Sequence, residues 1–254
     1  MAKIISLNKI SEDVFDMALS APELKNPPRP GQFINVYLND ESRLLPRPIS
    51  ICDYENGILR IVFRAVGAGT LKLSEMHAGD TLKIMGPLGN GFYDVPENRA
   101  ILFGGGIGIP PMLYLSKKLS ESGKNVTILL GYRNSDTFLK DEFEKYGRVF
   151  ISTDDGSVGF HGNTVELFDS IYNNNDSSVC LYACGPLPML RGIKATAAKM
   201  NLKAQISMEE RMACGIGACL ACVCKSAEKD AHSNVFNKRV CKDGPVFFAE
   251  EIEI

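Results

Sequence analysis

The sequence has little histidine, no long apolar run and no excess of either charge. Its three histidines, His77, His161 and His232, are scattered, which argues against a histidine-based catalytic triad or a histidine-rich metal site. The longest uncharged run, residues 100–116, contains four glycines and two prolines, whereas a membrane-spanning helix needs about 20 mostly apolar residues. Lys and Arg number 28 against 30 Asp and Glu, which excludes a nucleic-acid binder with a broad basic surface.

The start of the chain and its composition narrow the class of protein further. Residues 1–6 lack the apolar core and the cleavage site of a secretory signal peptide, so we expect a cytoplasmic protein. Hydrophobic residues make up 45% and charged residues 23% of the chain, which is typical of globular proteins. A length of 254 residues predicts one large domain or two to three small ones, since a domain has on the order of 100–200 residues.

The pattern of apolar residues divides the chain into three segments. Residues 1–98 contain short runs that alternate with period two, such as residues 31–38, and predict a small antiparallel barrel or sandwich. Residues 99–203 alternate apolar strands with helical stretches, which predicts a doubly wound parallel α/β domain. Residues 204–254 are rich in cysteine and too few to build a good core of their own, so we expect this segment to need a metal.

Cysteine spacing provides the strongest signal in the chain. Five of the eight cysteines lie between positions 214 and 241, which in a reducing cytosol indicates a metal site and not disulfides. Four of these follow the spacing C-x4-C-x2-C with the last one after 18 further residues, and they are Cys214, Cys219, Cys222 and Cys241. This order matches plant-type [2Fe–2S] ligation. Gly215 and Gly217 suit such a loop, because it needs positive φ angles and close backbone approach.

A structural zinc site with four cysteine ligands is the alternative. Zinc sites usually take their ligands from C-x2–4-C pairs on both sides, and here the fourth cysteine has no such neighbour. Cys224 is a fifth candidate ligand, two residues beyond Cys222. On a strand it would point the same way as Cys222, and we expect it to be a buried non-ligand.

Two loops each follow a predicted strand and open a predicted helix, as nucleotide-binding loops do. The first, residues 104–111, reads GGGIGIPP, and the second, residues 184–189, reads CGPLPM. Loops at the C-terminal ends of strands in one sheet face a common crevice. The alternatives are a glycine-rich turn without a ligand and, for Cys184, a small buried residue.

Two further motifs lie in the first segment. Residues 47–50 read RPIS at the start of a strand, and residues 67–70 read GAGT after another. Together with the two loops, and on a barrel that precedes a nucleotide-binding domain, they resemble the motifs of the ferredoxin–NADP reductase superfamily. The resemblance implies an FAD-binding β-barrel over residues 1–98 and an NAD-binding α/β domain over residues 99–203.

Longer stretches narrow the resemblance to one group of that superfamily, the electron transfer subunits of type B dihydroorotate dehydrogenases. These stretches are RPIS, VFRAVGAGT at 62–70, TDDGSVGFHG at 153–162 and ERMACGIGACLACVC at 210–224. The resemblance covers essentially the whole chain and implies a [2Fe–2S] domain over residues 204–254. Two features depart from the pattern: Ile49 replaces an aromatic residue that stacks in many reductases, and polar residues 225–237 resemble a local insertion.

The resemblance also implies roles for individual residues. Those implied for FAD are Arg47, Pro48, Ile49, Ser50, Val62, Phe63, Arg64, Gly69 and Thr70. Those implied for the nicotinamide nucleotide are Gly104, Gly106, Gly108, Gly185 and Pro186, with Cys184 as the catalytic residue between nicotinamide and flavin. Arg47 would meet a phosphate and Ser50 the ribityl–isoalloxazine region. Cys214, Cys219, Cys222 and Cys241 would hold the cluster.

These cofactors would form an ordered chain. NADH delivers two electrons as a hydride, whereas a [2Fe–2S] cluster carries one at a time, so a flavin must lie between them. No part of the chain is left over for a second organic substrate, and a TIM-barrel partner would need about 250 residues of its own. The resemblance implies that this partner is an FMN-containing dihydroorotate dehydrogenase catalytic subunit, in a heterotetramer with two copies of each chain, and that the pair converts dihydroorotate to orotate in pyrimidine biosynthesis.

Two other functions stay open on the sequence alone. The chain could be the small FAD and iron–sulfur subunit of a ferredoxin:NADP or sulfide reductase complex, which shares this layout. It could also be a non-catalytic zinc-binding interaction module on a vestigial reductase fold. The residues do not decide between NAD and NADP, because Arg133 could meet a 2′-phosphate or could be a solvated charge. NAD is expected from the resemblance.

Overall fold

The computed structural model describes the chain except for residues 22, 23, 25, 39, 41, 43, 173–177 and 231–233. His232 and part of the stretch 225–237 therefore lie outside the described residues. Among the helices that are described, none has the length and apolar character needed to cross a membrane.

The first segment forms a closed barrel of six antiparallel strands. The strands are β1 (Ala2–Lys9), β2 (Val14–Ser20), β3 (Phe33–Tyr37), β4 (Arg47–Glu55), β5 (Ile58–Arg64) and β6 (Thr81–Leu88), and helix α1 (Ala68–Ser74) follows β5. Around the barrel the order is β1-β2-β5-β4-β3-β6. The period-two alternation directs Ile34, Ile51 and Ile61 inward, where each is fully buried. The predicted antiparallel barrel is therefore confirmed, and the sandwich is not observed.

The second segment forms the predicted parallel α/β domain. Its elements are β7 (Arg99–Gly105), a 3₁₀ turn (Gly106–Gly108), α2 (Ile109–Glu121), β8 (Asn125–Tyr132), α3 (Lys140–Phe143), β9 (Arg148–Thr153), β10 (Phe160–His161), α4 (Thr164–Ile171), β11 (Val179–Cys184), α5 (Leu187–Met200) and β12 (Lys203–Ser207). These six strands pair in parallel in the order β10-β9-β8-β7-β11-β12. β7 and β11 are buried along almost their whole length, because helices cover both faces of the sheet.

Local sequence explains where the helices begin. Pro110 lies in the first turn of α2, where the missing N–H costs no hydrogen bond. The side chain of Asn163 accepts hydrogen bonds from the N–H groups of Val165 and Glu166, and the Glu166 carboxylate accepts one from the Asn163 N–H, so that a capping box starts α4.

The third segment shares its core with the α/β domain. Its strands are β13 (Val223–Ser226), β14 (Asn237–Arg239), β15 (Val246–Phe248) and β16 (Ile252–Glu253). β14, β13 and β16 form a small sheet, whereas β15 joins the large sheet antiparallel to β12. Val240, Phe247 and Ile252 pack in one apolar cluster with Leu181 and Ile193 of the α/β domain. A segment of this size thus obtains a core from its neighbour.

Two groups of ion pairs join the barrel to the α/β domain. Arg60 on β5 contacts Asp16 on β2 at 2.7 Å and Glu142 on α3 at 2.6 Å. The ammonium of Lys117 on α2 lies 3.2 Å from Asp53 and 2.9 Å from Glu55, both on β4. The guanidinium of Arg60 donates to both oxygens of each carboxylate, and this forked geometry fixes orientation as well as distance.

Candidate functional site

The two glycine-containing loops at the ends of β7 and β11 touch one another. These strands are neighbours, with Cys184 opposite Gly104. A Cβ atom on Gly108 would overlap the carbonyl of Cys184, and one on Gly105 would lie 2.9 Å from the Pro186 ring. The common crevice that the strand order predicts is therefore confirmed, and it is possible because these positions carry no side chain.

A cavity of about 440 Å³ opens at this crevice. Its walls include Gly106 and Gly108 from the first loop and Gly185 and Pro186 from the second, but Gly104 is not among them. Gly104 instead packs beneath the loop, where a Cβ atom would lie 3.1 Å from the side chain of Ile109. The volume falls in the range of small-molecule and cofactor sites.

The far walls of this cavity carry charge, including Arg64, which the resemblance implied for FAD, and Arg133, whose role the sequence left open. Arg133, at the end of β8, and Asp154, after β9, both line it. From the barrel, Arg64 and Asp13 reach the same cavity, and the Arg64 Nε lies 3.2 Å from the Asp13 carboxylate. Asp154 belongs to the stretch 153–162 that carries the family resemblance, although no role was assigned to it there. It lies at the C-terminal end of a parallel strand, which is where ligands of such sheets bind.

The Cys184 thiol is held in its neutral form. Burial raises its pKa to about 12, although a hydrogen bond with Ser207 acts in the opposite direction. A thiol with this pKa is not ionised near neutral pH, so Cys184 is not a thiolate nucleophile here. Its place at the end of β11 suits it to shape the crevice between the two loops.

A second cavity, of about 700 Å³, lies between all three segments. It is lined by Arg47 and Pro48 of β4, by Gly185 and Pro186 of the second loop, and by residues 208–212, which lead to the cysteine cluster. Glu209, Gly185 and Pro186 line both cavities. The two cavities are therefore adjacent, and the second extends toward the segment that precedes Cys214.

Arg47 and Gly69 form a close contact beside this second cavity. A Cβ atom on Gly69 would overlap the Arg47 Nε and would lie 2.6 Å from the Cζ. The Arg47 Nη1 donates a 2.7 Å hydrogen bond to the carbonyl of Leu45. The Thr70 hydroxyl accepts a hydrogen bond from the Gly67 N–H at 3.1 Å, which places Thr70 in the cap of α1. The Arg47 guanidinium thus supplies positive charge, as a phosphate requires, whereas the Gly67 N–H is already bonded within the cap of α1.

The remaining residues assigned to FAD divide between surface and core. Pro48 and Ser50 are partly exposed on β4, whereas Ile49 faces the barrel core. Phe63 packs in the same core and stacks on Phe15. Val62 packs on the other side of β5, in the apolar cluster shared with α2. Because Ile49, Val62 and Phe63 are almost fully buried, their side chains leave little surface for a flavin.

The structure brings the cysteines of the C-x4-C-x2-C…C pattern together. The Gly217 N–H donates to the Cys241 Sγ at 3.1 Å, and the Cys241 N–H donates to the Cys222 Sγ at 3.4 Å. Cys219 is exposed beside them. Gly215 has a φ of 70° and Gly217 a φ of 84°, which confirms the predicted positive φ angles of this loop.

Backbone N–H groups already favour a thiolate at Cys214. Burial raises the pKa of this thiol, but N–H groups of Ile216, Cys219 and Ala218 outweigh burial and lower the pKa to about 6. Two of these donors, Ile216 and Ala218, lie 3.4 Å and 3.3 Å from the Cys214 Sγ. Such N–H···S contacts are those that support thiolate ligands of an iron–sulfur cluster.

Cys224 occupies a different position from the other four cysteines of its segment. It lies on β13 opposite Lys238 and packs in the core, and burial raises its pKa to about 11. Within the described ranges, no three His, Cys, Asp or Glu side chains are arranged to hold a single metal ion.

Comparison with known proteins gives matches at both ends of the chain. Residues 1–93 match the oxidoreductase FAD-binding domain, and residues 209–253 match the iron–sulfur cluster binding domain of dihydroorotate dehydrogenase B. The dihydroorotate dehydrogenase B (NAD(+)) electron transfer subunit of Caldanaerobacter subterraneus subsp. tengcongensis is 41% identical over 251 residues, which cover 99% of this chain and 97% of that protein. The protein of the same name from Fusobacterium nucleatum subsp. nucleatum is 41% identical over 255 residues, covering 97% and 95%.

The chain belongs to this family of electron transfer subunits. As a member of the dihydroorotate dehydrogenase B electron transfer family, it is an oxidoreductase subunit that uses FAD and an iron–sulfur cluster. The predicted fold class, cofactors and electron transfer function are confirmed, and the zinc-binding interaction module is not supported.

Solved structures share the same architecture. The NADH-dependent reduced ferredoxin-NADP oxidoreductase, solved for insight into flavin-based electron bifurcation, has a TM-score of 0.88 at 30% identity and covers 100% of this chain and 90% of that one. The FAD/NAD binding domain of nitric oxide dioxygenase from Vibrio cholerae O1 biovar El Tor has a TM-score of 0.69 at 19% identity, covering 79% and 93%, which shows a common fold alone.

Proposed function

We propose that this chain passes electrons between NAD(H), FAD and a [2Fe–2S] cluster, and through the cluster to or from an FMN-containing dihydroorotate dehydrogenase catalytic subunit. The complex would be a cytoplasmic heterotetramer with two copies of each chain. We also keep the division into residues 1–98, 99–203 and 204–254 as a proposal. The segment from 204 onward nevertheless contributes β15 to the sheet of the α/β domain.

One feature carries this proposal: the cavity between all three segments lies beside the nucleotide crevice and reaches toward the cysteine loop. Gly185, Pro186 and Glu209 belong to both cavities. A ligand in the first cavity and a ligand in the second would therefore meet at this shared wall. A bound flavin supplies the chemistry that links a two-electron hydride donor to a one-electron carrier.

The chain's own residues bind and orient the cofactors in this proposal. Arg47 would hold an FAD phosphate, with Gly69 leaving room for the Arg47 guanidinium. Gly106 and Gly108 would hold the nucleotide phosphates at the start of α2. Cys184 lines neither cavity, and its neutral thiol would add no charge at the end of β11.

Cys214, Cys219, Cys222 and Cys241 would hold the cluster. The N–H groups that point at the Sγ atoms of Cys214 and Cys241 would stabilise the negative charge on coordinated sulfur. No proton transfer by a side chain is needed at this site, which agrees with the scarcity of histidine.

An apolar surface beside the cluster loop supports docking of the catalytic subunit. Ile216 is 52% exposed, Leu220 59% and Val223 39%, and all three flank the exposed Cys219. Large apolar side chains at the exposed edge of a redox site mark an interaction surface, because water is displaced from them on binding. A partner bound there would lie close to the cluster.

The proposal is tested by a two-by-two comparison of activities. Intact protein and the Cys219→Ser variant are each assayed for NADH oxidation with an acceptor dye, and for dihydroorotate-dependent NAD reduction after addition of the catalytic subunit. Intact protein should show both activities, and Cys219→Ser should keep the dye reaction at the flavin and lose the coupled one. FAD per chain is measured in both proteins.

Two results would contradict the proposal. Equal loss of both activities in Cys219→Ser with FAD still bound would exclude the ordered route through the cluster. Oxidation of dihydroorotate by this chain alone would exclude the need for a catalytic partner.

A further inference from the structure

Asn35 is a buried polar residue of the barrel that contacts the cysteine loop. It lies on β3, opposite Pro48 of the RPIS motif on β4, and has no exposed surface. Its Nδ2 donates a 3.0 Å hydrogen bond to the backbone carbonyl of Cys214, a residue 179 positions away. A single side chain thus connects the strands of the predicted flavin site to the first cysteine of the cluster loop.

Asn35 packs closely against Gly215 of the cysteine loop as well as bonding to Cys214. A Cβ atom on Gly215 would overlap the Asn35 Nδ2 and would lie 2.9 Å from its Cγ. Gly215 also has a φ of 70°, which disfavours any other residue. The loop can therefore approach β3 this closely only because position 215 is glycine.

The orientation of the Asn35 amide is decided by its partner. The Cys214 carbonyl accepts and cannot donate, so the amide must turn its NH₂ group toward it. The Oδ1 is then left buried without a hydrogen-bond partner. An unpaired buried acceptor disfavours the folded state, and an apolar residue would fill the same space between β3 and the cysteine loop without this cost. Stability alone therefore does not explain asparagine at this position.

We infer that Asn35 is a positioning residue for electron transfer, which anchors the cluster loop to the flavin-binding strands and so fixes the gap between flavin and cluster. This inference rests on the proposed function. The step concerned oxidises reduced FAD by one electron and reduces the cluster by one electron, and Asn35 itself exchanges neither electron nor proton. A small displacement of reacting groups is enough to slow such a step strongly.

The inference is tested with Asn35→Leu, which is similar in size and lacks the donor. Gln205→Leu is the matched control: Gln205 is also fully buried, and its side-chain amide bonds the Tyr93 backbone at 2.7 Å and 2.9 Å, far from the cluster loop. Stopped-flow absorbance follows reduction of flavin and of cluster by NADH in each protein. The EPR spectrum of the dithionite-reduced cluster, the rate of iron release to a chelator, and FAD and iron per chain are also measured.

Asn35→Leu should keep FAD, iron and the rate of flavin reduction, while NADH-driven cluster reduction slows about tenfold. Iron release should be about fivefold faster, because loss of one hydrogen bond costs ~1 kcal/mol, which corresponds to that ratio. The EPR spectrum of the reduced cluster should also shift. Gln205→Leu should change none of these. If Asn35→Leu does not fold, Asn35→Asp, which keeps the shape and removes the donor, provides the same comparison.

Several outcomes would overturn the inference. One is cluster reduction at the unmodified rate in Asn35→Leu with both cofactors bound, and another is equal slowing in Gln205→Leu. Failure of both Asn35 variants to fold would assign the residue a structural role instead. Failure of the proposed function is distinguishable, because NADH would then not reduce the cluster of the unmodified protein.

Discussion

The guanidinium of Arg47 lies directly against the backbone of Gly69, so that a side chain at position 69 would displace it. Gly69→Ala should therefore weaken FAD binding without removing any hydrogen-bonding group, and Arg47→Ala should weaken it further. Hydrogen bonds to charged groups contribute about 1.5–3 kcal/mol, so the Kd for FAD should rise about tenfold or more in Arg47→Ala. Flavin per chain after gel filtration measures the effect.

Arg191→Ala is the control for that comparison, because Arg191 is an exposed arginine on α5 that lines neither cavity. It should retain FAD at the unmodified level. Full retention of FAD by Arg47→Ala would contradict the assignment of this residue to the FAD phosphates.

The ligand set of the cluster predicts opposite results for two cysteines. Cys219→Ser should lose most of the visible iron–sulfur absorption, because Cys219 lies in the spacing of the ligand pattern. Cys224→Ser should keep the absorption, because Cys224 packs in the core of the small sheet. Iron per chain and the visible spectrum of each variant decide the matter, and bleaching in Cys224→Ser alone would show that the ligand set is wrong.

The close approach of the two loops predicts a specific effect of Gly108→Ala. The new Cβ atom would overlap the Cys184 carbonyl and push the loops apart, so the KM for NADH should rise about tenfold in the dye assay. Gly192→Ala is the control, because its Cβ atom would meet only the end of the Val165 side chain, at 3.0 Å, away from the crevice. A KM for NADH that stays unchanged in Gly108→Ala would argue against nucleotide binding at this crevice.

Asp154 predicts a preference for NAD over NADP. Asp154 follows β9, two strands from β7, and lines the cavity. A carboxylate there accepts hydrogen bonds from ribose hydroxyls and repels a 2′-phosphate. Asp154→Asn should therefore reduce the ratio of kcat/KM for NADH over NADPH about tenfold. Asp155→Asn, one residue further and outside the cavity, should leave the ratio unchanged. A higher kcat/KM for NADPH than for NADH in the unmodified protein would assign the decisive role to Arg133 instead.

The ion pair between Arg60 and Glu142 predicts a pH dependence of stability. The hydrogen bond from Arg60 lowers the pKa of Glu142 below its usual value, although burial acts in the opposite direction. A carboxyl group whose folded-state pKa is lowered stabilises the fold above its unfolded pKa, and this contribution is lost as the pH falls through the folded pKa. As the pH falls below about 4.5, the free energy of unfolding should therefore decrease more for the unmodified protein than for Glu142→Gln.

Urea unfolding at a series of pH values measures that effect. Glu121→Gln is the control, because Glu121 pairs with Lys118 on the exposed face of α2 and this ion pair joins no two domains. Identical pH profiles for Glu142→Gln and the unmodified protein would show that the contact between α3 and the barrel does not contribute to the pH dependence of stability.

Local patterns determined the fold class, the cofactors and the residues of the cluster loop, because each is encoded within a short stretch. Alternation with period two predicted β3, and the order of apolar strands and helices predicted the parallel sheet. The spacing from Cys214 to Cys222 predicted a cluster loop whose glycines have positive φ angles. Each of these signals depends on neighbours a few residues apart, which a sequence displays directly.

Contacts between residues far apart in sequence were decided by the tertiary structure alone. No pattern joins Asn35 to Cys214 or Arg60 to Glu142, and none indicates that β15 completes the large sheet. The same holds for Ile49 and Val62, whose motifs predict contact with a flavin while their side chains pack in two different cores. Such pairs form when whole elements dock, because apolar burial is non-directional and selects partners by shape and distance in space, not by position along the chain.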